Sequence, residues 1–178
     1  MQKNWLVINL NKNYFIIVGN KVFGCQIGEG GLKIATKKIE GDKTTPIGRW
    51  RLETIFYRPD KILRPKLKKK NILKINKITK NSGWCDDIRS NKYNSYIKIN
   101  NFQSLNLNYE KLWREDEAYD IIIVISHNTK PIIKNKGSAI FIHLSKRLLP
   151  TAGCIALQKK DFLILVKIIN KNTKIKLI

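Results

Sequence analysis

Five β-branched residues in unbroken succession, Ile121-Ile122-Ile123-Val124-Ile125, constrain this chain more than any other stretch. Such side chains are stiff about χ1 and favour strands. A short run that is apolar on both faces reads as a strand covered on both sides. It needs neighbours, and the N-terminal region supplies them. Residues 5–10, 14–18 and 21–27 are β-rich runs split by Asn11-Lys12-Asn13 and Gly19-Asn20, hairpin signals that predict an antiparallel meander. Alternation resumes over residues 50–56, after a stretch from Gly41 to Gly48 read as a loop in which Pro46 fixes one φ angle and Gly48 relaxes another. Residues 139–144 form a further apolar strand that carries His143 at its end, and Lys174-Ile175-Lys176-Leu177 alternates as a closing strand.

Helical spacing is clearest after residue 158, where Phe162, Leu163, Leu165, Val166, Ile168 and Ile169 form one stripe, with Gln158 near the start and Asp161 in the first turn, suited to the helix dipole. That stripe is core. A second, short helix is expected over residues 108–117. Residues 57–100 lack a clear period and read as a long polar excursion, functional or mobile. The expectation is a mainly β chain with one or two helices, a single domain over residues 1–178.

Of the 178 residues, 43% are hydrophobic, enough for a substantial core, and the net charge is +22. A charge of that size suggests nucleic-acid binding. The lysines, however, are scattered through strands, loops and helix and interleaved with Ile and Asn, as a codon bias towards A and T produces, so no nucleic-acid partner is expected. One cluster stands apart: Arg64-Pro65-Lys66-Leu67-Lys68-Lys69-Lys70, followed by Lys74, Lys77 and Lys80. It is either a solvated loop or a patch whose field attracts an anionic polymer, salt-sensitively. There is no signal-peptide pattern at the N-terminus and no apolar run long enough to span a bilayer, so the expectation is a soluble, unexported chain with no integral membrane segment. Two histidines and three cysteines without ligand spacing predict no metal site, and Gly28-Glu29-Gly30-Gly31 lacks the following Lys-Ser/Thr of a phosphate loop.

The odd cysteine count argues against a disulfide framework. Cys25, in an apolar run, is expected to be structural. Cys85, in Gly83-Trp84-Cys85-Asp86-Asp87, is a rival reactive thiol without a neighbouring histidine. Cys154 follows Thr151-Ala152-Gly153, a short basic loop after His143. A thiol needs a base to become a nucleophile at neutral pH, and a preceding glycine frees the backbone to aim N–H groups at an oxyanion. The outline is that of a cysteine-nucleophile site; the alternative is a small buried thiol and a satisfied core imidazole. His127 is read as structural, although its place at a strand end could bring it near the pocket.

Three ordered blocks resolve that choice: Gly41-Asp42-Lys43-Thr44-Thr45-Pro46-Ile47-Gly48-Arg49, Gly137-Ser138-Ala139-Ile140-Phe141-Ile142-His143, and Thr151-Ala152-Gly153-Cys154-Ile155-Ala156-Leu157. Together they resemble the signature of the L,D-transpeptidase catalytic-domain (YkuD-like) family, in which a histidine, a loop and Ser/Thr-x-Gly-Cys follow in order. The resemblance implies a β-sandwich-type catalytic domain, Cys154 as nucleophile, His143 as general base oriented by a backbone carbonyl or hydroxyl (Thr151 and Ser145 being candidates), and the Gly153 and Cys154 N–H groups as oxyanion donors. It implies no cofactor, and peptidoglycan stem peptides or muropeptides as partners; the oligomeric state stays open. Many members carry a histidine and an arginine where this chain has Ala152 and Ala156, and a longer loop before the cysteine. Substrate contacts are therefore sought at Thr151, Arg147, Trp84 and Arg49, with Arg58 another candidate carboxylate partner.

The implied reaction opens the bond between a diamino acid and a terminal D-Ala. An amine acceptor makes the protein a transpeptidase, and water makes it an L,D-carboxypeptidase of the kind that recycles cell wall. The family points to the periplasm or cell envelope; the unexported reading points to the cytoplasm. The reading from another class is a basic module for an anionic polymer in which Cys154 is degenerate.

Overall fold

The computed structural model describes residues 4–10, 13–67, 73–99, 106–145, 147 and 149–178. Thirteen strands follow in order: β1 (Asn4–Leu10), β2 (Asn13–Val18), β3 (Lys21–Gln26), β4 (Leu32–Ile34), β5 (Thr45–Tyr57), β6 (Lys74–Lys77), β7 (Ser82–Cys85), β8 (Ser95–Lys98), β9 (Tyr109–Lys111), β10 (Ile121–Ile125), β11 (Phe141–Leu144), β12 (Ile155–Leu157) and β13 (Lys174–Leu177), with a 3-10 turn at Ala35–Lys37 and one α-helix, α1 (Lys159–Ile168), before β13. The chain is mainly β, as its residue pattern predicts.

The opening meander forms as expected, β1–β2 and β2–β3 both antiparallel; its first turn, at Asn11 and Lys12, lies outside the described residues. The ten-stranded sheet runs β10-β11-β12-β3-β2-β1-β13-β5-β4, with β6 on β5, and a pairing between β10 and β5 closes it on itself. The 13-residue strand β5 makes the closure. Its first half pairs with β4 and β13, its second half with β10 and β6. All five residues of β10 are buried: the strand pairs with β5 and β11, and its side chains enter one apolar cluster through Ile121, Ile123 and Ile125 and another through Ile122 and Val124, which explains their unbroken apolar character.

The helix covers one side of this sheet with Phe162, Leu165 and Val166 buried, and the Gln158 carbonyl starts it by accepting from the Asp161 and Phe162 amides. A second apolar cluster joins Phe56, Trp84, Leu112, Tyr119, Phe141 and Cys154. It lies between the main sheet and a small antiparallel sheet, β8-β7-β9.

Three expectations change. Residues 45–48 belong to β5 rather than to a loop, because Pro46 sits near the strand's start, paired with Lys33 of the short edge strand β4, where a missing N–H is tolerated. The stretch 57–100 contains β6, β7 and β8, each only four residues long, too short for alternation to emerge. Residues 108–117 form no helix: β9 pairs with β7, and Glu117 has φ 65°, incompatible with a helix. Of the basic cluster, Lys68, Lys69 and Lys70 lie outside the described residues; Arg64 and Lys66 are exposed in irregular chain.

Candidate active site

Strands β11 and β12 run parallel, with His143 opposite Ala156 and Ile142 opposite Ile155. Cys154 therefore stands at the entrance to β12, beside the start of β11. Its Sγ accepts from the Phe141 amide at 3.3 Å and donates to the Ala139 carbonyl at 3.1 Å. Ala139 holds φ 52°, an uncommon conformation for alanine, and its amide donates to Asn94 Oδ1 at 3.1 Å.

Asn94 is the hub behind this geometry. It is buried, and its Oδ1 also accepts from Trp84 Nε1 at 2.9 Å, while its Nδ2 donates to the Asn128 carbonyl at 2.7 Å. Sequence reading did not single it out; a lone Asn in a polar stretch gives no sign of such a role. Replacing Asn94 by Ala leaves several buried partners unsatisfied, each costing about 1–3 kcal/mol. We expect Asn94→Ala to lower the melting temperature sharply and to release the Ala139 carbonyl from the thiol, readable by thermal unfolding and by faster alkylation of Cys154.

The turn carrying Cys154 is braced from the first motif block. Thr45 Oγ1 donates to the Gly153 carbonyl at 2.8 Å and accepts from the Gly28 amide at 2.8 Å. Thr151 Oγ1 accepts from the Gly153 amide at 3.1 Å and donates to the Cys154 carbonyl at 2.6 Å. Gly153 has φ 132°, which only glycine adopts without strain. Its N–H, expected as an oxyanion donor, points to Thr151 Oγ1 in this structure.

His143 Nδ1 lies 2.8 Å from the Leu144 carbonyl. A carbonyl only accepts, so Nδ1 carries the proton and Nε2 the lone pair of the neutral ring. The orienting group is thus a backbone carbonyl, and it belongs to neither Thr151 nor Ser145. The Tyr119 ring packs edge-on against the imidazole at 5.5 Å between centroids, and its hydroxyl donates to Glu110. Burial pulls His143 down to about 4 and pushes Cys154 up to about 12, with the Glu110 carboxylate adding to the latter. At neutral pH both groups are uncharged.

Cys154 and His143 line one cavity of about 420 Å³, with Glu40, Asp86 and Glu110 on its wall. Asp86 Oδ1 is buried with no hydrogen-bond partner among the described residues, and burial raises its pKa. A second cavity of about 830 Å³ also reaches His143 and is bordered by Arg114, Arg147, Thr151, Lys159 and Lys160. No group of three metal-ligating side chains occurs among the described residues.

Of the residues sought for substrate contact, Thr151 and Arg147 border the larger cavity. Trp84 does not face either: it is 6% exposed, packed edge-on to Phe141, and supports Asn94. Arg49 is exposed on β5 opposite Lys176 of β13 and borders neither cavity. Arg58 is buried, bonded to Asp60 and the Arg114 carbonyl, and stacked on Trp113, a structural arrangement. Cys85 is fully buried in β7, and Cys25 is buried with its pKa pushed up to about 12 by that burial. His127 is buried against Trp50, with Nε2 on the Lys136 carbonyl, and borders neither cavity.

The arrangement offers a thiol, a neutral imidazole whose lone pair sits on Nε2, and a shared cavity, the elements of thiol-based acyl transfer. No curated protein and no solved structure matches this chain. The family model of the L,D-transpeptidase catalytic domain (YkuD) matches residues 3–177. The chain belongs to the L,D-transpeptidase catalytic-domain family.

Proposed function

We propose that the protein is a cysteine-dependent L,D-transpeptidase acting on peptidoglycan stem peptides, with Cys154 as nucleophile and His143 as general base. The observation that carries this reading is the cavity shared by the thiol and an imidazole whose Nδ1 is fixed on the Leu144 carbonyl.

In this mechanism His143 Nε2 takes the thiol proton as Sγ attacks the carbonyl carbon between the diamino acid and the terminal D-Ala. The thiol first leaves the Ala139 carbonyl. The oxyanion collapses, the C–N bond breaks, and His143 returns the proton to the departing D-Ala amine, leaving a thioester. An amine of a second stem then attacks the thioester carbonyl and releases the thiol. The larger cavity, meeting the smaller at His143, gives that second stem a place to approach, with Arg147 and Thr151 on its border. Water in the same position gives a carboxypeptidase.

Products decide between the two. After incubation with a disaccharide tetrapeptide, mass spectrometry should find a cross-linked dimer lacking one D-Ala. A tripeptide without dimer would make the protein a carboxypeptidase, and unchanged tetrapeptide would contradict both.

Burial of the imidazole also sets the pH dependence. A base lowered to about 4 is already unprotonated above pH 5, so activity should hold between pH 5 and 7, where an ordinary histidine of pKa about 6.5 would lose its base form. A kcat/KM that falls with a midpoint near 6.5 would contradict the burial argument.

A further inference from the structure

Lys38 is the most deeply buried charged side chain near the site among the described residues: 2% of the residue is exposed, whereas most of the described lysines are exposed. A buried ammonium persists only when paired. Its partner is Asp42, whose Oδ1 lies 2.7 Å from Lys38 Nζ and also accepts from the Thr44 amide and hydroxyl, while Oδ2 accepts from Lys33 and the Ile39 amide. These donors hold the Asp42 carboxylate well below the usual carboxylate range.

The path of the lysine stem is built into the second motif block. A Cβ at Gly137 would lie 2.6 Å from Lys38 Cε, so any larger residue there displaces the stem. At its end, Nζ lies 3.8 Å from where a Cβ on Gly153 would stand, against the backbone that leads into Cys154. Lys38 also lines the cavity that holds Cys154 and His143. With the Gly153 amide bonded to Thr151 and Ala156 in place of the family's arginine, this ammonium is a buried positive charge fixed beside the cysteine turn.

We propose that Lys38, anchored by Asp42 and threaded past Gly137, is an electrostatic partner of Cys154 that stabilises the negative charge forming on the thiol and the adjoining oxyanion. The proposal rests on the reading of Cys154 as nucleophile. Lys38 acts through Cys154, against the opposing fields of Glu110, Glu40 and Asp86 on the same cavity, with Arg114 and Lys43 adding positive charge and Tyr119 and His143 uncharged at neutral pH. Burial keeps the interaction from being screened by salt.

The test is the pH dependence of Cys154 alkylation by iodoacetamide in the full chain, followed by mass spectrometry of the Cys154 peptide so that Cys25 and Cys85 do not interfere. Well below its pKa, a thiol whose pKa rises by one carries about a tenth of the thiolate at any given pH. Lys38→Gln, which keeps a donor for Asp42 without the charge, should be alkylated about tenfold more slowly at each pH, and Lys38→Arg should stay within about threefold of the natural protein. Lys38→Met serves where the Gln variant does not fold. Wild-type rates in a folded uncharged variant would overturn the proposal, as would an Arg variant as slow as the Gln variant. Unfolding of both uncharged variants beside a folded Arg variant would make the ion pair structural only, and overturn it too. Alkylation needs no substrate, so this result is read independently of whether stem peptides are turned over.

Discussion

Cys154→Ala and His143→Ala should each reduce turnover of a disaccharide tetrapeptide about 1000-fold or more while the protein stays folded. The expectation comes from how each side chain is held. Removing Sγ takes the acceptor from the Phe141 amide and the donor from the Ala139 carbonyl, which costs about 1–3 kcal/mol of stability, while the smaller alanine meets no clash at a site 8% exposed in an apolar cluster, so the fold is kept. Removing the imidazole takes away the proposed base, a ring that the Leu144 carbonyl orients at the cavity. Because the thiol is pushed up to about 12, almost none is ionised at pH 7, and without His143 the attack loses the imidazole positioned to take its proton. The two losses should be far from additive, since each variant disables the same step; a double variant no slower than either single one is the expected result. Turnover retained by a Cys154→Ala protein would contradict Cys154 as the nucleophile.

Gly28→Ala should cost the largest share of stability among single methyl additions near the site. A Cβ there would stand 2.1 Å from the Lys43 carbonyl oxygen and 2.9 Å from Gly153 Cα, both backbone atoms that cannot swing aside. Gly28 also donates to Thr45 Oγ1 and bridges in parallel to Thr151, so moving it moves the brace of the cysteine turn. Overpacking of this kind costs about 3 kcal/mol. Thermal unfolding should show a melting temperature lower by many degrees, and turnover at permissive temperature should fall as well, because Thr45, Gly153 and Cys154 shift together. Gly31→Ala, where no heavy atom lies within 4 Å but φ is 77°, isolates backbone strain from crowding and should cost less.

What the residues made legible, and what they did not, follows physical lines. β10 and α1 were readable because five consecutive β-branched residues and a stripe at helical spacing each satisfy one period with no competing signal. The short strands β6 to β9 were not, since three or four residues cannot display alternation, and β9 exists only because β7 pairs with it. His143 and Cys154 announced themselves through motif and turn chemistry. Their supports did not stand out as such: Asn94 and Thr45 act across long sequence separations, as in the bond from Thr45 to Gly153, and although Thr45 lies in the first motif block, nothing in its type announces a brace for the cysteine turn. Trp84 and Arg49 were sought at the site by residue type alone, and one proved to be a brace in the core while the other is exposed on β5.

The most direct test of Cys154 as an acylated nucleophile is intact-protein and peptide mass spectrometry after rapid acid quench of the protein with a disaccharide tetrapeptide. A mass increase equal to the substrate less D-Ala, located on the peptide containing Cys154 and absent from the Cys154→Ala variant, is the predicted result. Turnover with no adduct on Cys154, or an adduct carried by Cys85 in its place, would contradict it.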